Sequence, residues 1–502
     1  MFNVNYFSVL LKMSDRKSGS KRRKLAKSES GNFSNRREDR RNNELAIVDL
    51  YREQPVQMFP LNIDCFDEIF DYLSLKDLHH FAQTCSAMQK VCGEYFKFNF
   101  FANDYYRIEG DGIYTTYSSQ SGAFNECIRI SAFSQFIMQL EHYMDTFEPL
   151  YYINSHIDQY SSLKQIGFSC INLNGPEYEC IQELLAKVEI VQIWICALDG
   201  DFYDCLKFCR NLKHFSIRYC DIVCSQMLED GVRTLQYPWL TQEYPKLEHL
   251  ELIPFKKLQI DELSMFFACN SHVQSFSTSG QCLWVNRNVL LKSAAHLDKL
   301  EIRMIEVKMA PTDEFGVPET RMQAICTLVN QLHEHGFFRR LHFYINDDEQ
   351  IPSIDELASV AGLEKLCIRK FKKDYSLVPL TNVRELVIWE GAKNIDLEAL
   401  ANKCVKLERL YFGSHTIDHL LPFIRRSAKL NKVKAFSKIK TNFSIAISNL
   451  NAQREKLAGA HKLIIYVPDN IFLATKWTAR NGDVNLSLVE LRRGDSYEFT
   501  IS

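Results

Sequence analysis

From Leu163 onward one pattern recurs: an apolar residue, two variable positions, an apolar residue, one variable position and a further apolar residue. It reads LKQIGF at Leu163, VEIVQI at Val188, LKHFSI at Leu212, LEHLEL at Leu247, VQSFST at Val273 and LDKLEI at Leu297. FRRLHF at Phe338, LEKLCI at Leu363, VRELVI at Val383, LERLYF at Leu407 and LNKVKA at Leu430 complete eleven units. Successive units start 25, 24, 35, 26, 24, 41, 25, 20, 24 and 23 residues apart, so most steps keep one period. The alternation predicts one short strand per unit with a single face turned to a core. Between units, DELSMFFACN and DLEALANKC carry apolar residues three and four apart and predict return helices.

Such a unit buries its apolar face only by stacking on its neighbours. The pattern resembles the leucine-rich repeat, which implies an α/β solenoid of parallel strands and return helices. The repeats are read over 161–460, with a C-terminal repeat or cap over 461–502. Residues 101–160, rich in Tyr and Phe, read as a connector or an irregular first repeat. Two long steps hold DGVRTLQYPWLTQ and KMAPTDEFGVPETR, and the Pro and Gly of the second predict an inserted loop.

Ahead of the array a helical pattern appears over 57–100. Phe66, Ile69, Phe70 and Leu73 precede a break at Ser74, and Leu75, Leu78, Phe81, Ala82 and Cys85 follow it. Asp64 is placed to cap the first helix, while Ser74 and Asp77 are spaced as a capping box for the second. Three short helices bury too little surface to stand alone and need something to lie against.

The segment resembles an F-box through Leu61, Ile69, Phe70, Tyr72, Leu73, Leu75, Asp77, Leu78 and Cys85, above all in the spacing EIFDYLSLKDL. It departs where Asn62 follows Leu61 and Pro60 stands one place early. The resemblance implies a substrate-recognition subunit of an SCF-type ubiquitin ligase. Its F-box would dock onto a Skp-type adaptor, and so onto a cullin–RING ligase, and its repeats would hold the target protein. It also implies adaptor contacts at Leu61, Phe66, Ile69, Phe70, Leu73, Leu75, Asp77 and Leu78. Two alternatives stay open: a repeat scaffold with a helical cap and no ubiquitin role, and a nucleic-acid-associated protein.

Composition adds context. With 46% apolar and 24% charged residues and a formal net charge of −2, the chain has the make-up of an ordinary globular protein. No apolar run is long enough to span a membrane. MFNVNYFSVLL at the start lacks the basic region of a signal peptide, and Met13 offers an alternative start. Residues 12–43 hold twelve Lys or Arg against four acidic residues, and the tail over 1–50 is read as disordered. Lys21, Arg22, Arg23 and Lys24 resemble a nuclear-import signal, the alternative being a solubilising tail. The expected location is the nucleus, the cytoplasm or both.

Sixteen cysteines scattered among aliphatic residues point to buried free thiols in a reducing compartment. Cys205, Cys209, Cys220 and Cys224 have a spacing that raises zinc, yet the repeat itself uses Cys at these positions. Neither G-x-x-x-x-G-K-[ST] nor H-E-x-x-H occurs, and His333–His335 lacks a helical ligand pair. The expectation is a binding protein without catalytic residues, metal or cofactor.

Target contacts are expected at unit offsets +2, +4 and +6, the face opposite the repeat core. These offsets single out Trp194, Arg303, Arg340, Tyr344, Lys365, Arg369, Trp389, Arg409 and Tyr411. From Lys299 onward the face holds eight basic and two acidic residues. It reads either as a site for an acidic or phosphorylated segment, or as an ordinary solvated face.

Overall fold

The computed structural model describes Phe66, Ile69, Phe70 and residues 73–493, except 110–111, 120–124, 143–146, 170–171, 174, 195, 199–204, 223–237, 254–259, 261, 305–317, 346–354, 371–378, 391–395, 414–416, 436–443, 468 and 480–482. The basic tail, its KRRK cluster, Leu61 and Cys224 lie outside the described residues.

Helix α1 (Leu75–Ala82) starts where the sequence breaks. Ser74 is extended, its Oγ accepts from the Asp77 backbone N–H at 3.0 Å, and its hydroxyl donates to Asp77 Oδ2 at 2.6 Å. That exchange satisfies a donor which the first helical turn would otherwise leave open. Leu75, Leu78 and Ala82 form its buried stripe. Helix α2 (Ser86–Asn99) is capped by the Cys85 sulfur, which accepts from the Met88 N–H at 3.5 Å. Phe66, Ile69 and Phe70 are helical, and Phe70 meets Phe81 and Tyr95 edge-on at 6.0 and 5.2 Å.

After α2 the chain forms an antiparallel sheet of β1 (Phe100–Glu109), β2 (Gly112–Ser119) and β3 (Asn125–Arg129). This sheet was not legible in the aromatic segment 101–160. Phe96 on α2 stacks on Phe133 at 4.6 Å and meets Tyr117 edge-on at 5.0 Å. A Cβ at Gly93 would stand 2.0 Å from Phe136, so only glycine lets α2 approach this closely. One apolar core runs from Phe66 to Leu491 without a break between the helices and the repeats.

The repeats supply a fourteen-stranded sheet. Its strands are β4 (Gln139–His142), β5 (Gln165–Ser169), β7 (Ile190–Trp194), β9 (His214–Arg218), β11 (His249–Ile253), β12 (Ser275–Ser279) and β13 (Leu297–Met304). They continue as β14 (Phe338–Ile345), β15 (Leu363–Lys370), β16 (Glu385–Glu390), β17 (Arg409–Phe412), β18 (Lys432–Ala435), β19 (Leu463–Val467) and β20 (Val489–Arg493). Each pairs parallel with its neighbours in chain order, the connectivity of a stacked repeat. Short strands β6 (Asn172–Leu173), β8 (Ala197–Leu198) and β10 (Asp221–Ile222) add a small second sheet.

All eleven units predicted from the sequence are strands here, and β4, β19 and β20 extend the set. The longest step between units contains the helix Pro318–Glu334. The last strand does not end the sheet with a bare edge. Residues 484–486 double back along β20, with Leu486 N–H donating to Val489 O and Leu491 N–H to Val484 O, both at 2.8 Å. Closing an edge in this way blocks strand addition by another chain.

Asparagines on the return segments join successive turns. Asn154 Oδ1 accepts from Leu184 N–H, Asn270 from Tyr244, Asn286 from Ile260, Asn330 from Ala361 and Asn451 from Leu488, at 2.6–2.9 Å. Each satisfies a donor of a loop or, at Leu184, of a helix's first turn that the sheet cannot reach.

Candidate functional site

The helical end of the molecule presents a small surface. Ile69 is 43% exposed, Leu73 is half-buried and Asp77 is exposed, whereas Phe66, Phe70, Leu75 and Leu78 lie in the protein's own core. The residues singled out for adaptor contact therefore divide into a scaffold and an outward group. His79 is half-buried against Phe133 at 5.2 Å, so the helices bear directly on the first turn of the array.

The sheet has a second candidate surface on the face opposite the core. Along each strand the core residues alternate with this face, as Leu300 and Ile302 do with Lys299, Glu301 and Arg303. Its ridge beyond β13 is an apolar row of Tyr344, Cys367, Val387, Tyr411 and Tyr466, packed as a cluster separate from the main core. Register places Tyr344, Cys367, Val387 and Tyr411 side by side on β14–β17.

Several basic residues of this face are held by carboxylates on the same strand or on others. Glu251, buried, accepts from Ser216 Oγ at 2.6 Å and Arg218 Nε at 2.8 Å, and pairs with Arg303 at 3.3 Å. Glu301 pairs with Lys299 at 2.6 Å and lies 3.6 Å from His342. Glu385 lies between Lys365 at 2.7 Å and Arg409 at 2.8 Å. Arg340 pairs with Asp298 and, at 3.6 Å, with Glu364. Burial pushes the Glu301 carboxyl up, but His342 and Lys299 outweigh it and hold the group well below the usual carboxylate range.

Among the residues expected to touch a target, Arg303, Tyr344, Lys365 and Tyr411 are buried. The Arg303 guanidinium lies over the Tyr344 ring at 4.7 Å, and Lys365 Nζ is 5.8 Å from the same ring. Trp194, Arg340, Arg369, Trp389 and Arg409 reach the surface. Trp389, 37% exposed, rests on Tyr411 with ring centroids 4.7 Å apart. The sequence placed these residues on one face, but it did not show which cations share a carboxylate. Glu251 and Arg303 are two strands apart in the sheet and fifty-two positions apart in the chain.

Cys205, Cys209 and Cys220 are buried free thiols, and burial pushes Cys209 up to about 12. No cluster able to hold a metal ion occurs among the described residues. Nor is any described helix long and apolar enough to cross a membrane.

The same face carries a pH-sensitive group. His249 Nδ1 is 2.6 Å from Ser275 Oγ, with His214, Glu251, Glu301 and Lys299 around it. Burial lowers its pKa to about 4. The unfolded chain binds the proton near pH 6.5 and the folded chain does not, so this group costs stability as pH falls below 6.5. Between pH 7 and pH 5 the cost is about 2 kcal/mol. In urea unfolding, His249→Gln is expected to lose about 2 kcal/mol less than wild type over that interval. Equal losses in the two proteins would show that His249 is not held neutral.

Residues 59–97 match the F-box domain model. The chain carries an F-box domain ahead of leucine-rich repeats. The match covers the helical end, including α1 and most of α2, and the repeats are shown by the period of the strands and their parallel order. No curated protein matches the chain.

Among solved structures, the F-box protein is similar to an internalin (inlF) from Listeria monocytogenes at 12% identity and a TM-score of 0.28, covering 70% of this chain and 87% of that one. It is also similar to Toll in the Toll–Spätzle complex of Drosophila, at 10% identity and a TM-score of 0.29, covering 74% of this chain. The glycosylated form gives 10% identity, a TM-score of 0.30 and 73% of this chain. The F-box protein spans about half the length of the Toll chain, 52% and 51% in the two structures.

Proposed function

We propose that the chain is the substrate-recognition subunit of an SCF-type ubiquitin ligase. Its F-box docks onto a Skp-type adaptor, and the repeats hold a target protein for ubiquitination. The observation that carries this reading is the F-box match at 59–97, with its helices packed onto one end of a fourteen-stranded repeat sheet. F-box domains typically bind Skp-type adaptors, and leucine-rich repeats typically bind proteins through the open face of their strands.

The shared core supports the same reading. A receptor of this kind works by proximity, raising the effective concentration of a bound target near the ubiquitin carrier. A helical module that shares a core with the array transmits position better than one on a linker. The chain itself then supplies binding and orientation, and the chemistry belongs to the other subunits.

Within the F-box, Ile69 and Leu73 are the outward apolar residues through which an adaptor would bind, supported by the buried Phe66, Phe70, Leu75 and Leu78. The test is binding of the full chain to a purified Skp-type adaptor by calorimetry. Wild type is expected to bind, and Ile69→Asp to bind at least about tenfold more weakly with an unchanged melting temperature. A folded wild-type chain that does not bind the adaptor would remove the ubiquitin assignment and leave a repeat scaffold.

A further inference from the structure

We infer that the open face of the sheet around β15–β17 seats an extended, unphosphorylated Asp- and Glu-rich segment of the target, with one apolar side chain laid on Trp389. This rests on the reading of the repeats as the target-binding part.

Charge is the first ground. Lys365 and Arg409 share Glu385, two cations on one carboxylate, and so leave one positive charge. Lys462 and Arg492 share Glu490 and leave another. Arg218, Lys299 and Arg303 are held by Glu251 and Glu301, three cations on two carboxylates. Each cluster is net positive in a chain of formal net charge −2. The face therefore complements an anionic partner, although none of these clustered cations is loose. Their carboxylates fix them before a ligand arrives, so binding loses little further side-chain freedom.

Shape is the second ground. Trp389 offers a flat apolar surface supported from below by Tyr411. Arg369 is exposed and neighbours Trp389 across the β15–β16 register, between the pairs Ile368–Ile388 and Lys370–Glu390. Arg409, with 48% of its side chain exposed, emerges on β17. An aromatic anchor with one guanidinium beside it, and a second farther back along the face opposite Glu385, suits an apolar residue set among carboxylates.

The spread of charge separates carboxylates from phosphate. A phosphate concentrates nearly two charges at one point and calls for guanidinium groups converging there. Here the net charges come singly. Glu251, Glu301, Glu385 and Glu490 lie on β11, β13, β16 and β20, which puts successive carboxylates about 10, 14 and 19 Å apart at the usual strand spacing, the first two within one cluster. An extended peptide advances about 3.3 Å per residue, so acidic residues distributed along it can meet dispersed cations in turn.

The probe is a fluorescein-labelled peptide of alternating Glu and Ser around a central Leu. A Lys-for-Glu version serves as control, together with a Gln-for-Glu version bearing one phosphoserine. With the full chain, anisotropy is expected to show binding of the Glu peptide that weakens with salt, and none of the Lys peptide. Arg369→Gln with Arg409→Gln, and separately Trp389→Ala, should each weaken binding at least about tenfold without changing the melting temperature or adaptor binding. Because Arg369 is exposed, Arg369→Gln alone provides a second, milder variant.

Tighter binding of the phosphoserine peptide would overturn the inference, as would Glu-peptide binding untouched by these variants. Adaptor binding in the same preparations separates the two readings. A chain that binds the adaptor but not the Glu peptide keeps its proposed function and loses only this inference.

Discussion

Replacing Arg454 by Leu should cost about 3–5 kcal/mol and unfold the last repeats first. Arg454 is completely buried on the helix Ile447–Glu455. Its Nη1 donates to the carbonyls of Ile424 and Ser427, and its Nη2 to those of Ala428, Leu430 and His461, all at 2.8–3.1 Å. Most of these carbonyls belong to the end of the helix Leu421–Arg426 and the turn behind it, where Ser427 O and Ala428 O also accept the backbone N–H groups of Leu430 and His461 at 3.1 and 2.9 Å. Burial pulls the guanidinium pKa down to about 10, still far enough above neutrality to keep it charged.

Removing the fork would take a donor from five carbonyls, and each one left without a partner costs roughly 1–3 kcal/mol before relaxation. Arg454→Lys should recover less than half of the loss, because one ammonium offers three donors and cannot fork across five carbonyls. Urea unfolding with hydrogen exchange on β18–β20 would check both values. A loss below about 1 kcal/mol would mean that water takes over the carbonyls and that Arg454 is not the clasp.

Arg454 also shows where sequence reading stops. On its own helix it is one basic residue among polar neighbours, and nothing in AQREKL distinguishes it from a solvated arginine. Its partners lie 7–30 positions away and are backbone atoms, which have no residue signature. The strands were legible for the opposite reason. LDKLEI and LEKLCI alternate because one face meets the core and the other does not. Where both faces are apolar the alternation vanishes, as in LIIYV, where Ile464 and Tyr466 back onto the second apolar cluster and hide β19.

The candidate sites divide in the same way. The helical pattern and the Ser74–Asp77 cap could be read locally, and α1 begins where they put it. That Ile69 faces outward while Phe70 closes the core depends on α2 and Phe81, which the pattern does not position. The open face was identified by offset, but its charge balance was not. Eight cations counted along strands say nothing of Glu251 or Glu385 lying between them in space.

Gly413→Ala should lower stability by up to about 3 kcal/mol and abolish capture of the acidic peptide in the same step. Gly413 follows β17 and donates its N–H to Ile388 O at 2.7 Å, which draws it against the end of β16. A Cβ there would stand 1.8 Å from the carbonyl oxygen of Trp389 and 2.7 Å from its carbonyl carbon. Both are backbone atoms, so no side-chain rotation relieves the clash and the two strands must part. The cost therefore falls at the upper end of the range for overpacking rather than the middle.

The strand end that would move carries Trp389, and its seat on Tyr411 would go with it. Stability and ligand capture are therefore coupled at this residue. At Trp389→Ala they separate, because an exposed side chain is removed without moving the backbone. Parallel melting and anisotropy measurements on the two variants would show this difference. If Gly413→Ala melted like wild type and still bound the acidic peptide, the β16–β17 contact would be looser than described, and the rigid platform assigned to this face would not exist.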